Sequence, residues 1–144
     1  MKIGFASDHR GYKLKEELKT RLTNFEIIDY GTNSEESCDY PDFAFKLGEA
    51  VVRGDVTFGV AICGSGIGIS IACNKVKGIR CAKVSNSEEA KITRIDNDSN
   101  IVAFSEKVSV EEAVDIVNTF VNTEFSNLEK HQRRIDKITA YEER

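Results

Sequence analysis

The sequence predicts an α/β fold of the Rossmann-like type, a three-layer α/β/α sandwich with a five-stranded parallel sheet and a C-terminal helix. Short apolar segments alternate with longer segments of helical periodicity along the whole chain. The third apolar segment, 57–62, is nearly continuous in apolar residues, as expected for a parallel strand that is buried on both faces. No linker or repeat interrupts the 144 residues, so residues 1–144 are expected to form a single domain.

Each element follows from the pattern of its own segment. Short apolar runs predict five strands, which in chain order are Ile3–Ala6, Phe25–Asp29, Thr57–Ile62, Ile79–Ala82 and Ile101–Phe104. Apolar residues at helical spacing predict six helices, over Tyr12–Leu22, Asp42–Arg53, Ile67–Lys75, Ser85–Arg94, Val110–Val121 and Leu128–Tyr141.

Two helix starts carry specific local signals. Pro41 precedes the second helix, where its missing N–H costs little. Ser85 is followed by Glu88 at the spacing of a capping box, which predicts that Ser85 caps the fourth helix. The last helix has only a thin apolar stripe, which predicts docking on another surface such as a second subunit.

Four polar loops are predicted to share one edge of the sheet. Right-handed crossovers place functional loops at the carboxyl ends of parallel strands. The loops are Ser7–Gly11, Asp39–Pro41, Cys63–Gly68 and Asp96–Asn100. We therefore expect the functional site at this edge.

Composition argues against several classes of function. The formal net charge is −4, from 20 basic and 24 acidic residues, and no basic block suggests nucleic-acid binding. No segment has the length and apolarity of a membrane span, and Met1–Phe5 leads directly into a strand pattern, so a cytoplasmic protein is expected.

The four cysteines and two histidines suggest no metal site. The cysteines contain no C-x-x-C pair, and His9 and His131 are far apart in the sequence. Cys73 and Cys81 lie in apolar segments and are expected to act as small hydrophobic residues. Cys38 lies in a polar loop and is expected to have no role.

The segment Val60–Gly68 carries the most chemical information. A buried strand ends in Cys63, and the closely spaced glycines that follow let backbone N–H groups turn inward without interference from Cβ atoms. Such groups at a helix start favour negative charge, so they would stabilise a thiolate at Cys63 and an oxyanion beside it. A small buried cysteine before a packing turn is the alternative, but three glycines with a serine among them favour the catalytic interpretation.

Other thiol and phosphate sites fit this pattern poorly. A cysteine phosphatase would carry its phosphate-clamping arginine at the position of Ile69, and a P-loop would need a lysine that this loop lacks. The glycine loop follows the third strand, whereas a dinucleotide-binding fingerprint normally follows the first. A thiol redox enzyme would usually have a resolving cysteine nearby, and Cys73 lies inside a predicted helix. Base catalysis beside an oxyanion site remains.

The order of these motifs resembles the ribose-5-phosphate isomerase B family, which also contains the galactose-6-phosphate isomerase subunits. The similarity spans essentially the whole chain and is most specific over Ile62–Ala72. The other matching segments are Ser7–His9, Asp39–Asp42, Asn74–Lys75, Gly78–Arg80, Asn97–Asn100 and His131–Arg134. The resemblance implies a metal-free and cofactor-free interconversion of ribose 5-phosphate and ribulose 5-phosphate through an enediolate.

The resemblance also implies a role for each site residue. Cys63 would move the proton, and Ser65 with the loop N–H groups of Gly64, Gly66, Ile67 and Gly68 would hold the anion. The implied substrate contacts are Asp8, His9, Tyr40, Asn97, Lys107, Lys130, His131 and Arg134. Members of the family are homodimers or tetramers with shared active sites, so Asn97 would serve the partner's Cys63.

Three departures separate this chain from the family. Asp96 stands where the family usually has the ring-opening histidine, and we expect this carboxylate to assist ring opening. Lys107 and Lys130 stand where arginine is common, which keeps the charge but loses the bidentate fork. Leu128–Glu129 replaces a common glycine pair. Two alternatives therefore stay open: an isomerase of a hexose 6-phosphate of the galactose or allose type, and a non-catalytic sugar-phosphate-binding subunit.

Overall fold

Strands and helices alternate along the chain in the computed structural model, which describes residues 1–144. The strands are β1 (Lys2–Ser7), β2 (Glu26–Asp29), β3 (Phe58–Cys63), β4 (Cys81–Lys83) and β5 (Ile101–Ser105). The helices are α1 (Tyr12–Arg21), α2 (Tyr40–Arg53), α3 (Ile67–Cys73), α4 (Ser87–Asn97), α5 (Val110–Asn122) and α6 (Glu129–Glu142). None of these helices combines the length and the apolarity needed to cross a bilayer.

The five strands form one parallel sheet in the order β2-β1-β3-β5-β4. β3 lies in the centre, where Ser7 of β1 pairs with Ile62 and Ser105 of β5 pairs with Cys63. The order of connections reverses between β1 and β3, so these two strands diverge at their carboxyl ends into a crevice. This arrangement confirms the predicted fold class.

Apolar side chains cover both faces of the sheet. On one face, the strands pack against α1, α4 and α5 through a cluster that includes Phe5, Leu18, Ile62, Phe104 and Phe120. On the other face, small strand residues such as Ala61 and Ala103 pack against α2 and α3. The small residues allow α2 and α3 to lie close to the sheet, so the start of α3 is held directly beside the end of β3.

The fourth helix begins one residue later than a Ser85 cap would allow. Asn86 has an extended backbone, and its side-chain oxygen accepts a hydrogen bond from Glu89 N at 2.9 Å. The carboxylate of Glu89 in turn accepts a hydrogen bond from Ser85 N at 2.6 Å. The prediction of Ser85 as the cap and Glu88 as its partner is therefore wrong by one residue at each position.

The sequence predicts that Asp96–Asn100 lies at the carboxyl edge of the sheet. The structure places this segment at the opposite edge. α4 extends through Asn97, and the residues after it lead into the amino end of β5. α6 contacts α4 near this edge, and its Glu142 accepts a hydrogen bond from Gly78 N at 3.0 Å. The prediction is wrong because this segment precedes β5, and the residues that precede a parallel strand lie at the amino edge of the sheet.

Candidate active site

A cleft of about 730 Å³ opens at the carboxyl edge of the sheet. It lies where the connections reverse between β1 and β3, the usual place of a ligand site in an open α/β sheet. Eight of the predicted site residues line it: Asp8, His9, Tyr40, Cys63, Gly64, Ser65, Gly68 and Lys107. They come from the loops after β1, β3 and β5 and from the start of α2.

Cys63 ends β3 and faces this cleft, although only 4% of its surface is exposed. Its sulfur accepts a hydrogen bond from Gly66 N at 3.2 Å. Its backbone is fixed as well, because Cys63 O accepts a hydrogen bond from Glu106 N at 2.9 Å. These two hydrogen bonds fix both the side chain and the backbone of Cys63 at the start of the turn.

Two glycines make this turn possible. Gly66 has φ +79°, and a Cβ atom there would lie 2.6 Å from the carbonyl carbon of Phe104. A Cβ atom on Gly68 would lie 2.7 Å from the ring of Tyr40, which lines the cleft. Neither position has room for a side chain, so the turn can approach both β5 and the tyrosine.

Two serines stabilise the turn through hydrogen bonds, one from within the turn and one from β5. Ser65 is exposed, and its hydroxyl oxygen accepts a hydrogen bond from Ile67 N at 3.1 Å, which leaves the hydroxyl hydrogen for a ligand. Ser105 donates from its hydroxyl to Gly64 O at 2.6 Å and accepts from Lys107 N at 3.0 Å. The turn after β3 is thus tied to the loop after β5.

The loop after β1 places a carboxylate and an imidazole in the cleft. Asp8 is buried and accepts a hydrogen bond from Gly11 N at 3.0 Å. Nδ1 of His9 accepts a hydrogen bond from Cys38 N at 3.2 Å, so a neutral His9 carries its hydrogen on Nε2. The donor is the backbone of Cys38, so this contact orients His9 without requiring a cysteine side chain at position 38.

The cleft also contains three residues that the sequence reasoning missed, namely Arg10, Lys83 and Ser105. Arg10 follows His9 directly, and Lys83 and Ser105 are the last residues of β4 and β5. Their positions at strand ends were a usable signal. Arg10, Lys83 and Lys107 give the cleft three cations, against the single carboxylate of Asp8. The chain as a whole has a net charge of −4. The cleft therefore suits an anionic ligand.

The remaining predicted residues lie elsewhere in the chain. Gly66 and Ile67 belong to the turn but do not line the cleft. Asp96 and Asn97 end α4, and Lys130, His131 and Arg134 lie on α6. Within one chain, the structure does not bring these five residues of α4 and α6 to Cys63.

The α4 and α6 residues form a second group of their own. Nε2 of His131 lies 3.6 Å from Oδ1 of Asp96, and Nδ1 of His131 lies 2.7 Å from Oγ of Ser126. Oδ1 of Asn97 accepts a hydrogen bond from the Thr93 hydroxyl at 3.1 Å. The backbone oxygen of Asn97 accepts one from Nε of Arg80 at 2.8 Å. No three His, Cys, Asp or Glu side chains are grouped so that they could hold a metal ion.

Similar sequences and structures support one family. The chain matches the Ribose/Galactose Isomerase family model over residues 3–138. The ribose-5-phosphate isomerase B of Escherichia coli K12 is 42% identical over 146 residues, which cover 99% of this chain and 97% of that protein.

Solved structures agree in fold and in length. The ribose-5-phosphate isomerase B of Clostridium thermocellum superposes with a TM-score of 0.96 at 48% identity, covering 99% of this chain and 98% of that one. That of Mycoplasma genitalium, solved with bound ribulose 5-phosphate, has a TM-score of 0.90 at 37% identity, covering 99% and 96%. Since the match in sequence and in fold extends over almost its full length, the chain belongs to the ribose/galactose isomerase family.

Proposed function

We propose that this protein is an aldose–ketose isomerase that interconverts ribose 5-phosphate and ribulose 5-phosphate, with Cys63 as the base. The observation that carries this proposal is the sulfur of Cys63 in a cationic cleft, with Gly66 N donating to it at 3.2 Å. The relatives named above are ribose-5-phosphate isomerases of type B, which supports the same substrate.

The reaction needs one proton to move between neighbouring carbons. In the open-chain aldose, the carbonyl at C1 acidifies the proton at C2, and the Cys63 thiolate removes that proton. The electron pair of the broken C–H bond forms the C1–C2 double bond of an enediolate, and the negative charge passes to the oxygen on C1. Return of the proton from the thiol to C1 gives the ketose, and the hydroxyl proton on O2 passes to O1.

The anion requires stabilisation because a thiolate is a modest base. Gly66 N and Ile67 N already donate to the Cys63 sulfur and to the Ser65 hydroxyl oxygen. We therefore assign the Ser65 hydroxyl hydrogen and the remaining N–H groups of the turn from Gly64 to Gly68 to the enediolate oxygens. Asp8, His9 and Tyr40 line the same cleft and would orient the sugar hydroxyls.

The second group of residues would complete the site from another copy of this chain. We propose a homodimer, or a tetramer of two such dimers, in which Asn97, Lys130, His131 and Arg134 reach the partner's Cys63. Asp96 would assist ring opening as part of its pair with His131. Nε2 of His131 lies 3.6 Å from Oδ1 of Asp96, so a proton could pass between the two side chains.

Exposed apolar side chains support association between copies. Phe45 and Val52 lie seven positions apart on α2, and Ile67 and Ile71 lie four apart on α3. All four side chains are exposed, with values from 41% for Phe45 to 58% for Ile71. α2 and α3 pack side by side next to the cleft, so a partner that covers them would stand close to Cys63. We also place the enzyme in the cytoplasm, where its four unpaired cysteines would stay reduced.

Turnover by the purified chain and by Cys63→Ala tests the proposal. We expect the wild-type protein to convert ribose 5-phosphate, and we expect Cys63→Ala to lower kcat by about 10²–10⁴-fold while substrate binding changes little. Cys81→Ala, which changes a cysteine outside the cleft, is the matched control. Exchange of the C2 proton with solvent deuterium should vanish only in Cys63→Ala. Equal exchange in both variants would exclude Cys63 as the base.

A hexose 6-phosphate is the second candidate substrate, because Asp96 replaces the usual ring-opening histidine. The same assay with ribose 5-phosphate, allose 6-phosphate and galactose 6-phosphate decides between them through kcat/KM. No turnover of any of the three sugars would favour a non-catalytic binding subunit.

A further inference from the structure

Arg10 is a cation of the cleft whose side chain packs against the turn after Cys63. Its side chain runs beside Gly64, since a Cβ atom built on Gly64 would lie 3.6 Å from the guanidinium carbon of Arg10. Gly64 directly follows Cys63, so the guanidinium stands at the edge of the reaction site.

A single ion pair fixes the guanidinium in this place. Nε of Arg10 donates to Oε2 of Glu106 at 2.9 Å. The two terminal nitrogens make no hydrogen bond within the chain. A guanidinium is planar by resonance, so an anchor at Nε leaves the two terminal nitrogens side by side in that plane, where they can bind two oxygens of a phosphate.

The other two cations of the cleft offer less to a phosphate. Nζ of Lys83 donates to the Ser85 hydroxyl at 3.2 Å, which draws the ammonium toward the start of α4. Lys107 is exposed and forms no ion pair, so its position is set only by its backbone. Arg10 is the one cation of the cleft that combines a planar fork with a fixed position.

We propose that Arg10 binds the phosphate group of the substrate through its terminal nitrogens and thereby selects phosphorylated over unphosphorylated sugars. Glu106 acts as the positioning residue, because it holds Nε and turns the other nitrogens outward. This inference rests on the proposed function, and it adds to it a phosphate contact from the same chain that carries Cys63.

Three variants test the assignment. Arg10→Gln removes the charge and the fork, Arg10→Lys keeps the charge alone, and Arg53→Gln removes an arginine that pairs with Asp55 on the surface, outside the cleft. We expect Arg10→Gln to raise the KM for ribose 5-phosphate by about ten-fold or more, with kcat changed by less than about two-fold. Arg10→Lys should lie between Arg10→Gln and the wild type, and Arg53→Gln should behave as the wild type.

Binding of inorganic phosphate, measured by titration calorimetry, provides a readout that does not depend on turnover. We expect the dissociation constant of phosphate to rise in Arg10→Gln by the same factor as KM. An unchanged phosphate affinity in Arg10→Gln, or no phosphate binding by the wild-type protein, would overturn the assignment. If the wild type binds phosphate through Arg10 but converts no sugar phosphate, the proposed function fails and the phosphate site stands.

Discussion

Gly66 determines both the conformation of the turn and the hydrogen bond to the sulfur of Cys63. Its N–H donates to the sulfur of Cys63, and its positive φ directs that N–H inward. Its Cα lies so close to β5 that a methyl group would collide with the backbone of Phe104. A substitution here must therefore move the hydrogen-bond donor as well as strain the chain.

We predict that Gly66→Ala lowers the free energy of unfolding by at least about 2 kcal/mol, because left-handed strain and a backbone clash add together. Gly54→Ala is the control, since Gly54 has a similar φ of +82° but no atom within 4 Å of the added Cβ. Its loss should be about 1 kcal/mol, from backbone strain alone. Urea denaturation measures both values, and equal losses would contradict the close approach to Phe104.

The sequence was most informative about residues whose chemistry depends on local geometry. Cys63, Ser65 and the glycines lie within one short turn, so their spacing in the sequence already predicts that they lie together. Arg10 was missed because its place depends on Glu106, which is distant in sequence and adjacent only in the folded chain. The same is true of the contact between Cys38 and His9.

At the level of elements, the start of α4 shows the limit of local patterns. Ser85, Asn86 and Ser87 can each cap a helix, and Glu88 and Glu89 can each complete a capping box. The choice depends on which residue takes the extended conformation, and the neighbouring α5 contributes to it through Glu112, which accepts a hydrogen bond from Ser87 N at 3.0 Å. The local sequence around Ser85 does not reveal this contact between Ser87 and Glu112.

We predict that Asn86→Ala lowers the free energy of unfolding by about 1 kcal/mol, because Glu89 N loses its side-chain partner. Ser85→Ala should cost only a few tenths of that amount, because the backbone N–H that Ser85 donates to Glu89 is kept. Chemical denaturation of both variants decides the point. A larger loss in Ser85→Ala would restore Ser85 as the cap.

α1 is joined to β2 by a buried ion pair that the sequence pattern does not reveal. The side chain of Lys15 is fully buried, and its Nζ donates to Oδ2 of Asp29 at 2.6 Å. Burial would raise the pKa of Asp29, but hydrogen bonds from Lys15, Lys19 and Gly31 N outweigh burial and hold the pKa below its ordinary value of 3.8. The folded state therefore binds the Asp29 proton less tightly than the unfolded state does.

The sign of this shift predicts a loss of stability in acid. A lowered folded pKa contributes stability that is complete above the unfolded value of 3.8 and is lost as the pH falls below it. We predict that Asp29→Asn costs about 3 kcal/mol at about pH 7, because it leaves Lys15 buried without its main partner. The difference in the free energy of unfolding between Asp29→Asn and the wild type should decrease below about pH 4. Urea unfolding across this range measures it, with the exposed Asp55→Asn as a control that should show no such narrowing.

At the scale of the whole molecule, the two groups of functional residues stand at opposite edges of the sheet. Cys63 pairs with Ser105 at the carboxyl end of β5, whereas Asn97 precedes the amino end of the same strand. The length of β5 alone separates these ends by about 13 Å. A site that uses both groups therefore needs two chains.

Complementation between inactive variants tests this arrangement. We predict that Cys63→Ala and Asn97→Ala are each inactive alone, and that co-expression restores activity. A mixed dimer contains one site with both residues intact and one site with neither. Purified mixed dimers should therefore have about half of the wild-type activity, and the unseparated random mixture about a quarter. Activity of separately tagged, purified mixed dimers gives the measurement. No recovery in such dimers would place both residues in one chain's site or exclude a role for Asn97.

The order of the elements could be predicted from the sequence, because the spacing of apolar residues distinguishes strands from helices. The position of the cleft could be predicted as well, because it lies at the loops that follow the strands. The end of α4 could not. Asp96, Asn97 and Asp98 are poor helix formers and suggest a loop. Tertiary contacts override this tendency: Arg80 donates to Asn97 O at 2.8 Å and to Asp98 O at 2.9 Å, and Arg94 donates to Thr123 O at 3.1 Å.

The fixed backbone of Cys63 has a stereochemical consequence. Strand pairing with β5 and the hydrogen bond from Glu106 N hold this residue on both sides, so its sulfur meets a bound sugar from one direction only. In the proposed reaction, a hydrogen taken from C2 by this sulfur would return to C1 on the same face of the planar intermediate. Deuterium placed at C2 should in part be carried to C1 of the product. It should be found there in a single configuration, because the sulfur of Cys63 is held in one position.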